Sequence, residues 1–250
     1  MNYKTINQRF NTFLIDIQNS FKKESNQTLF QQRNTIKIVK FEQKKYVVKS
    51  FKVPHLLNQI VYRFFRSSKA QRSYENAVKL RELNINTPQP IGYIEFPSFF
   101  LFNESYYISD FFDYDFEIRA LLADKHFPHR EEILTQFVAF SYNLHNKGVF
   151  HIDYSPGNIL VKKIDDTYSF SLIDVNRMQF LEFTDELRMK AFSKLSTFNE
   201  DRAFITNAYC KLSTIEPNFA TTKMELFHEE HQQYIRNKKK LRKLKKKNNA

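Results

Sequence analysis

The chain has 250 residues, 42% of them hydrophobic and including 27 Phe and 13 Tyr, enough for one substantial domain or two small lobes and too apolar for wholesale disorder. A single cysteine, Cys210, excludes an intramolecular disulfide and fits a reducing compartment. The net charge of +12 is concentrated: nine of the 39 Lys and Arg fall within residues 236–247, which hold no acidic residue, and the remainder is a nearly balanced 30 basic against 27 acidic.

From the amino terminus, Met1 to Phe21 has neither an apolar h-region nor a small-residue cleavage site, so no signal peptide is expected. Residues 1–27 read as an amphipathic or partly disordered lead-in. Three strands are expected next, at Gln27–Phe30, Thr35–Phe41 and Tyr46–Phe51, the last two joined as a hairpin by Glu42-Gln43-Lys44-Lys45. Period-two alternation puts Val47, Lys49 and Phe51 on one face of the third strand and Lys52 on the other. Ser67 to Leu83 reads as a helix. Ser68 and Gln71 form a capping box, and Ala70, Tyr74, Ala77 and Val78 recur at helical spacing.

Two further strands are expected at Pro90–Phe96 and Ser105–Ser109, followed by the connecting segment Asp110-Phe111-Phe112. The most apolar stretch, Ile91 to Phe102, is broken by Glu95 and Pro97 and is too short to span a bilayer, so a cytoplasmic protein with at most peripheral membrane contact is expected. Helices are expected at Phe116–Leu122 and Arg130–Asn146, and again from Asp185 to about Tyr234.

Between those helices lies the most informative segment. His151-Ile152-Asp153-Tyr154-Ser155-Pro156-Gly157-Asn158 leads into two short apolar strands, Ile159–Val161 and Phe170–Ile173, with Asp165-Asp166 at the turn and Asp174-Val175-Asn176 beyond. An Asp, an Asn five residues on and a second Asp sixteen residues later is the order that phosphoryl transfer from ATP requires. A polar turn opening an ordinary hairpin would explain the Asp and Asn alone, but not the whole pattern.

These residues resemble the eukaryotic-like kinase superfamily. More narrowly, Asp153-Tyr154-Ser155-Pro156-Gly157-Asn158 and Asp174-Val175-Asn176-Arg177-Met178, preceded by Leu144-His145-Asn146-Lys147-Gly148-Val149, resemble the bacterial lipopolysaccharide kinases that phosphorylate Kdo or heptose sugars. The resemblance implies an α+β, protein-kinase-like two-lobed fold. Residues 28–112 would form a small antiparallel β lobe with one helix, and 113–235 a mainly helical lobe, flanked by the lead-in and a basic tail at 236–250. It implies ATP and Mg²⁺ as cofactors. Asp153 would orient and deprotonate the acceptor hydroxyl, and Asn158 and Asp174 would hold the metal. Lys49 would reach the phosphates, paired with Glu75 or, failing that, Glu82. The segment 110–112 would be the adenine hinge.

The sequence departs from the superfamily pattern in two places. The region before Thr35 has no glycine, leaving Arg33 as the candidate phosphate contact there. Asn176 stands where D-F-G has Gly, and no A-P-E-like segment follows, which argues against a phosphorylation-regulated protein kinase. The resemblance points to a lipid A/Kdo glycolipid acceptor. Another kinase-like phosphotransferase, or a non-catalytic nucleotide- or nucleic-acid-binding module, is the alternative. The tail is expected to meet an anionic membrane surface in preference to nucleic acid.

Overall fold

The computed structural model describes residues 1–250 except 33, 54, 56–58, 60, 63–64, 99–100, 196–197 and 248–250. Two compact units divide the chain: Met1–Asp113 with Ser171–Arg177, and Tyr114–Phe170 with Met178–Ala250.

The first unit is built on a six-stranded antiparallel sheet of β1 (Asn2–Thr5), β2 (Gln27–Gln31), β3 (Asn34–Phe41), β4 (Lys44–Phe51), β5 (Pro90–Phe96) and β6 (Glu104–Asp110), in the order β1-β5-β6-β4-β3-β2. β3 and β4 form the expected hairpin. Its two turn residues, Glu42 and Gln43, both have positive φ (45° and 63°), the backbone that lets a two-residue loop follow the twist of its strands. The helix α3 (Lys69–Glu82) starts where the capping box places it, with Ser68 Oγ accepting the Gln71 N–H at 3.0 Å.

The lead-in is part of this core. β1 adds an edge strand in register Thr5↔Gly92, followed by the short helices α1 (Asn11–Ile15) and α2 (Ile17–Lys22). Phe10, Phe13, Leu14, Ile17 and Phe21 are all buried against Val39, Tyr46, Val48, Ile94, Tyr106 and Ile108. Each such side chain contributes roughly 1.5–3 kcal/mol on burial, so the lead-in is a stabilising layer and not an appended segment. Gly92 makes the approach possible, since a Cβ there would lie 2.6 Å from Lys4 O and 2.9 Å from Leu14 Cδ2. The opposite sheet face carries Phe51, Tyr93 and Tyr107 against Ala70, Tyr74 and Val78 of α3. Alternation along β4 therefore sends Tyr46 and Val48 to the lead-in face, and Lys49 to the face covered by α3.

The second unit opens with β7 (Phe116–Glu117) and α4 (Ile118–Ala123). A helix is expected from Phe116, but that residue and Glu117 pair instead with Val161 and Leu160 of β9 (Ile159–Ile164), which delays the helix to Ile118. β9 and β10 (Thr167–Leu172) make the expected hairpin beside β7, turning at Asp165 (φ 51°). The remaining elements are α5 (Arg130–Asn146), β8 (Val149–His151) paired with β11 (Met178–Phe180), α6 (Asp185–Ala191), α7 (Asn199–Leu212) and α8 (Pro217–Lys247). Glu216 caps α8, its carboxylate accepting the Asn218 and Phe219 N–H groups at 2.9 and 2.6 Å. α8 buries Ala220, Met224, Phe227 and His228 and then runs on as an exposed helix through the basic residues from Arg236.

An aromatic cluster fills this unit. Tyr154 stacks on Phe137 at 6.0 Å, and Phe192 meets both Tyr154 and Tyr209 edge-on. His145 lies inside the cluster, stacked on Phe183, with Nδ1 bonded to Tyr209 Oη at 2.9 Å. Burial first, and the Arg188 guanidinium second, push its pKa down to about 3. Because unfolding lets His145 take a proton near its ordinary value of 6.5, its contribution to stability is complete above that pH and is lost as pH falls toward 3. Denaturant unfolding at pH 7 and pH 5 should show a stability loss of up to about 1.4 kcal/mol per pH unit from this group. His145→Gln should have a shallower loss than wild type over that interval, and equal slopes would show that His145 is not neutral in the folded state.

Candidate active site

Lys49 and Asp174 meet within the first unit, Nζ to Oδ1 at 2.5 Å, with side chains 12% and 37% exposed. The lysine comes from the middle of β4. The aspartate comes from Ser171–Arg177, a segment that folds with the first unit although its sequence neighbours on both sides belong to the second. Hydrogen bonds fix that segment at successive points. Leu172 N–H donates to Asn86 O at 2.9 Å, and the buried Thr87 hydroxyl donates to Leu172 O at 2.8 Å. From α3, Asn76 Nδ2 donates to Val175 O at 2.7 Å and Arg72 Nε to Asn176 O at 3.2 Å. Asp174 itself sits in the left-handed region (φ 56°), a conformation aspartate tolerates better than most residues, and Asn176 Nδ2 donates to its Oδ1 at 2.7 Å. Asn176, which stands where a glycine was the reference, thus acts as a brace for the carboxylate.

The expected pairing of Lys49 with Glu75 is not formed. α3 turns Arg72 and Asn76, four residues apart, onto the backbone of 175–176, whereas Glu75 is exposed and accepts from Gln71 Nε2 at 2.8 Å. Glu82 is also exposed, as is Lys52, the competing lysine. The carboxylate partner of Lys49 is Asp174. At the end of the first unit Asp110 N–H donates to Gln89 O and Phe111 N–H to Lys45 O, at 2.9 and 3.3 Å. Arg33, the candidate phosphate contact, lies outside the described residues.

In the second unit the loop after β8 is self-braced. His151, 2% exposed, accepts the Asp153 N–H on Nδ1 at 3.1 Å, so its own proton is carried on Nε2. Asn158 Nδ2 donates to Asp153 O at 2.9 Å. Tyr154 anchors the loop from below, its hydroxyl 2.8 Å from Ser141 Oγ. Pro156 opens a short 3-10 turn at 156–158, and Gly157 lies under the Arg119 guanidinium, where a Cβ would overlap it. Lys194, absent from the sequence reading, bonds the loop from the turn after α6: Nζ to Ile152 O at 2.6 Å and to Asp153 Oδ1 at 3.2 Å. No spacing rule marks it, because it lies 41 residues from Asp153.

In the first unit, Asp174 offers a carboxylate whose Oδ1 accepts from Lys49 and Asn176, and in the second, Asn158 offers an amide. Hard oxygen donors of this kind are the chemistry that Mg²⁺ prefers. No group of three or more His, Cys, Asp or Glu converges among the described residues.

A solved structure described as WaaP in complex with acyl carrier protein is similar in fold to this chain, with a TM-score of 0.64 at 13% identity over 92% of this chain and 99% of that one. No curated protein sequence matches the chain. The model of the lipopolysaccharide kinase (Kdo/WaaP) family matches residues 15–214, and the chain belongs to that family. It is a lipopolysaccharide kinase. Among the described residues no helix is long and apolar enough to cross a membrane.

Proposed function

We propose that the protein transfers the γ-phosphoryl group of ATP to a Kdo hydroxyl, or failing that a heptose hydroxyl, of the lipid A inner core, at the cytoplasmic face of the membrane. Family membership supports the reaction class. The observation that carries the assignment of roles is the Lys49–Asp174 pair, a cation and a carboxylate delivered to one point by chain segments 125 residues apart.

Phosphoryl transfer depends on positioning and on neutralising charge. In this reading Asp153 accepts the proton of the attacking hydroxyl. Its backbone is fixed by His151 and Asn158, so the carboxylate is presented without having to be ordered at each turnover. Asp174 and Asn158 would hold Mg²⁺, which would supply positive charge to the phosphates. Lys49, now paired with Asp174, would donate to the phosphates. Asn176 Nδ2, which donates to Asp174 Oδ1, keeps that carboxylate oriented. Asp153→Asn should lower kcat for phosphate transfer to Kdo-lipid A by about a hundredfold or more while leaving ATP affinity near wild type. A loss of less than about tenfold would assign the base elsewhere.

We further propose that the end of α8 lies on anionic lipid. From Arg236 to Leu244 the helix is exposed, and it presents Leu241 and Leu244, 59% and 58% exposed, among the basic residues. Like charges at i and i+4, such as Lys238 with Arg242 and Lys239 with Lys243, destabilise an unpartnered helix. An anionic surface removes that penalty and attracts each cation by on the order of 1 kcal/mol. Deleting 236–250 should lower activity on vesicle-embedded acceptor, an effect that high salt abolishes, and should spare activity on delipidated sugar. Equal losses on both acceptors would make the segment a support of the fold.

A further inference from the structure

The loop 153–158 places no cation beside its aspartate, since the intervening residues are Tyr154, Ser155, Pro156 and Gly157. The positive charge next to Asp153 comes from Lys194. Its backbone is pinned on both sides: Phe192 and Leu195 are each 3% exposed, and Leu195 N–H donates to Phe192 O at 3.0 Å. Phe192 packs edge-on against Tyr154, so the segment that carries the lysine and the loop that carries the aspartate share one core contact. The charge also reaches α8, where burial and then Lys194 lower the pKa of His231. An ammonium has three N–H donors. Among the described residues Lys194 spends one on Ile152 O and one on Asp153 Oδ1, and its side chain is 30% exposed.

We infer that Lys194 is a specificity-determining residue: its remaining donor binds an acidic group, carboxylate or phosphate, that the acceptor sugar carries beside the hydroxyl presented to Asp153. This rests on the reading of Asp153 as the base that meets the acceptor. A hydroxyl within hydrogen-bond range of Asp153 Oδ1 is within about 6 Å of Lys194 Nζ, the spacing between neighbouring substituents of a sugar ring and its acid group. The lysine accordingly does two things. It holds the loop in shape through Ile152 O, and it favours an anionic acceptor over a neutral one at the same position.

The test uses the full chain with Mg·ATP and three soluble acceptors: Kdo monosaccharide, its methyl ester and a hexose phosphate. Steady-state transfer is measured for wild type, Lys194→Met and Lys194→Arg, alongside ATP-free binding of the same sugars followed by ligand-observed NMR. Wild type should favour the acid over its ester by about tenfold or more in kcat/KM, mostly through KM. Lys194→Met should lose that preference without a rise in KM for ATP, and Lys194→Arg should keep most of it. Preference of wild type for the hexose phosphate over Kdo would make phosphate the recognised group and supports the inference equally. An acid-to-ester ratio unchanged in Lys194→Met, or a rise confined to KM for ATP, overturns it. If wild type transfers to none of these sugars, the acceptor reading of the site fails, and the binding arm still decides Lys194. Acid-over-ester binding lost in Lys194→Met supports its role, and binding equal in both proteins rejects it.

Discussion

The structure turns on seven residues, Ser171–Arg177, that fold with the first unit although the chain on both sides of them belongs to the second. Asn86, Thr87, Asn76 and Arg72 bond the segment within that unit. Each bond contributes only about 0.5–1.5 kcal/mol net, and one alone would not decide where a flexible turn sits. Together they allow Asp174 a left-handed backbone and bring its carboxylate to Lys49. A lysine whose side chain is largely buried needs a counter-charge, and the Asp174 carboxylate, oriented by the Asn176 amide, supplies it.

Much of this was legible in the chain itself. The strands from residue 27 to 110 show period-two alternation with turn residues between them, and Ser68 with Gln71 marks the start of α3 to the residue. The Asp-Asn-Asp order located both acidic groups because that chemistry fixes residue types at short spacings. Alternation set Lys49 apart from Lys52; Lys49 lies within β4, whereas Lys52 follows the strand and is exposed.

What the sequence hid depends on contacts between distant residues. The lead-in reads as a weak amphipathic stretch because α1 and α2 are five and six residues long, too short for a helical period to establish itself. Their aromatic residues gain meaning only against the sheet face they cover. Glu75 was an expected partner for Lys49 because helical glutamates fill that role elsewhere, but the rotation of α3 gives Arg72 and Asn76 to the 171–177 segment and leaves Glu75 in solvent. Lys194 has no local signal at all. The basic residues from Arg236 read as a tail set off by its charge, whereas they continue α8, whose capped start and packed first turns nucleate a helix that Lys, Arg and Leu then propagate.

The central claim is that Ser171–Arg177 delivers to the nucleotide site a charge that acts through Mg²⁺. Isothermal titration of ATP into wild type and Asp174→Asn, each with Mg²⁺ and with chelator, tests it most directly. Asparagine keeps the size of the side chain and its tolerance of a left-handed backbone but removes the charge. Wild type should bind ATP more tightly with Mg²⁺ than without, and Asp174→Asn should bind it equally weakly in both conditions. A variant that kept the full wild-type gain from Mg²⁺ would contradict the account.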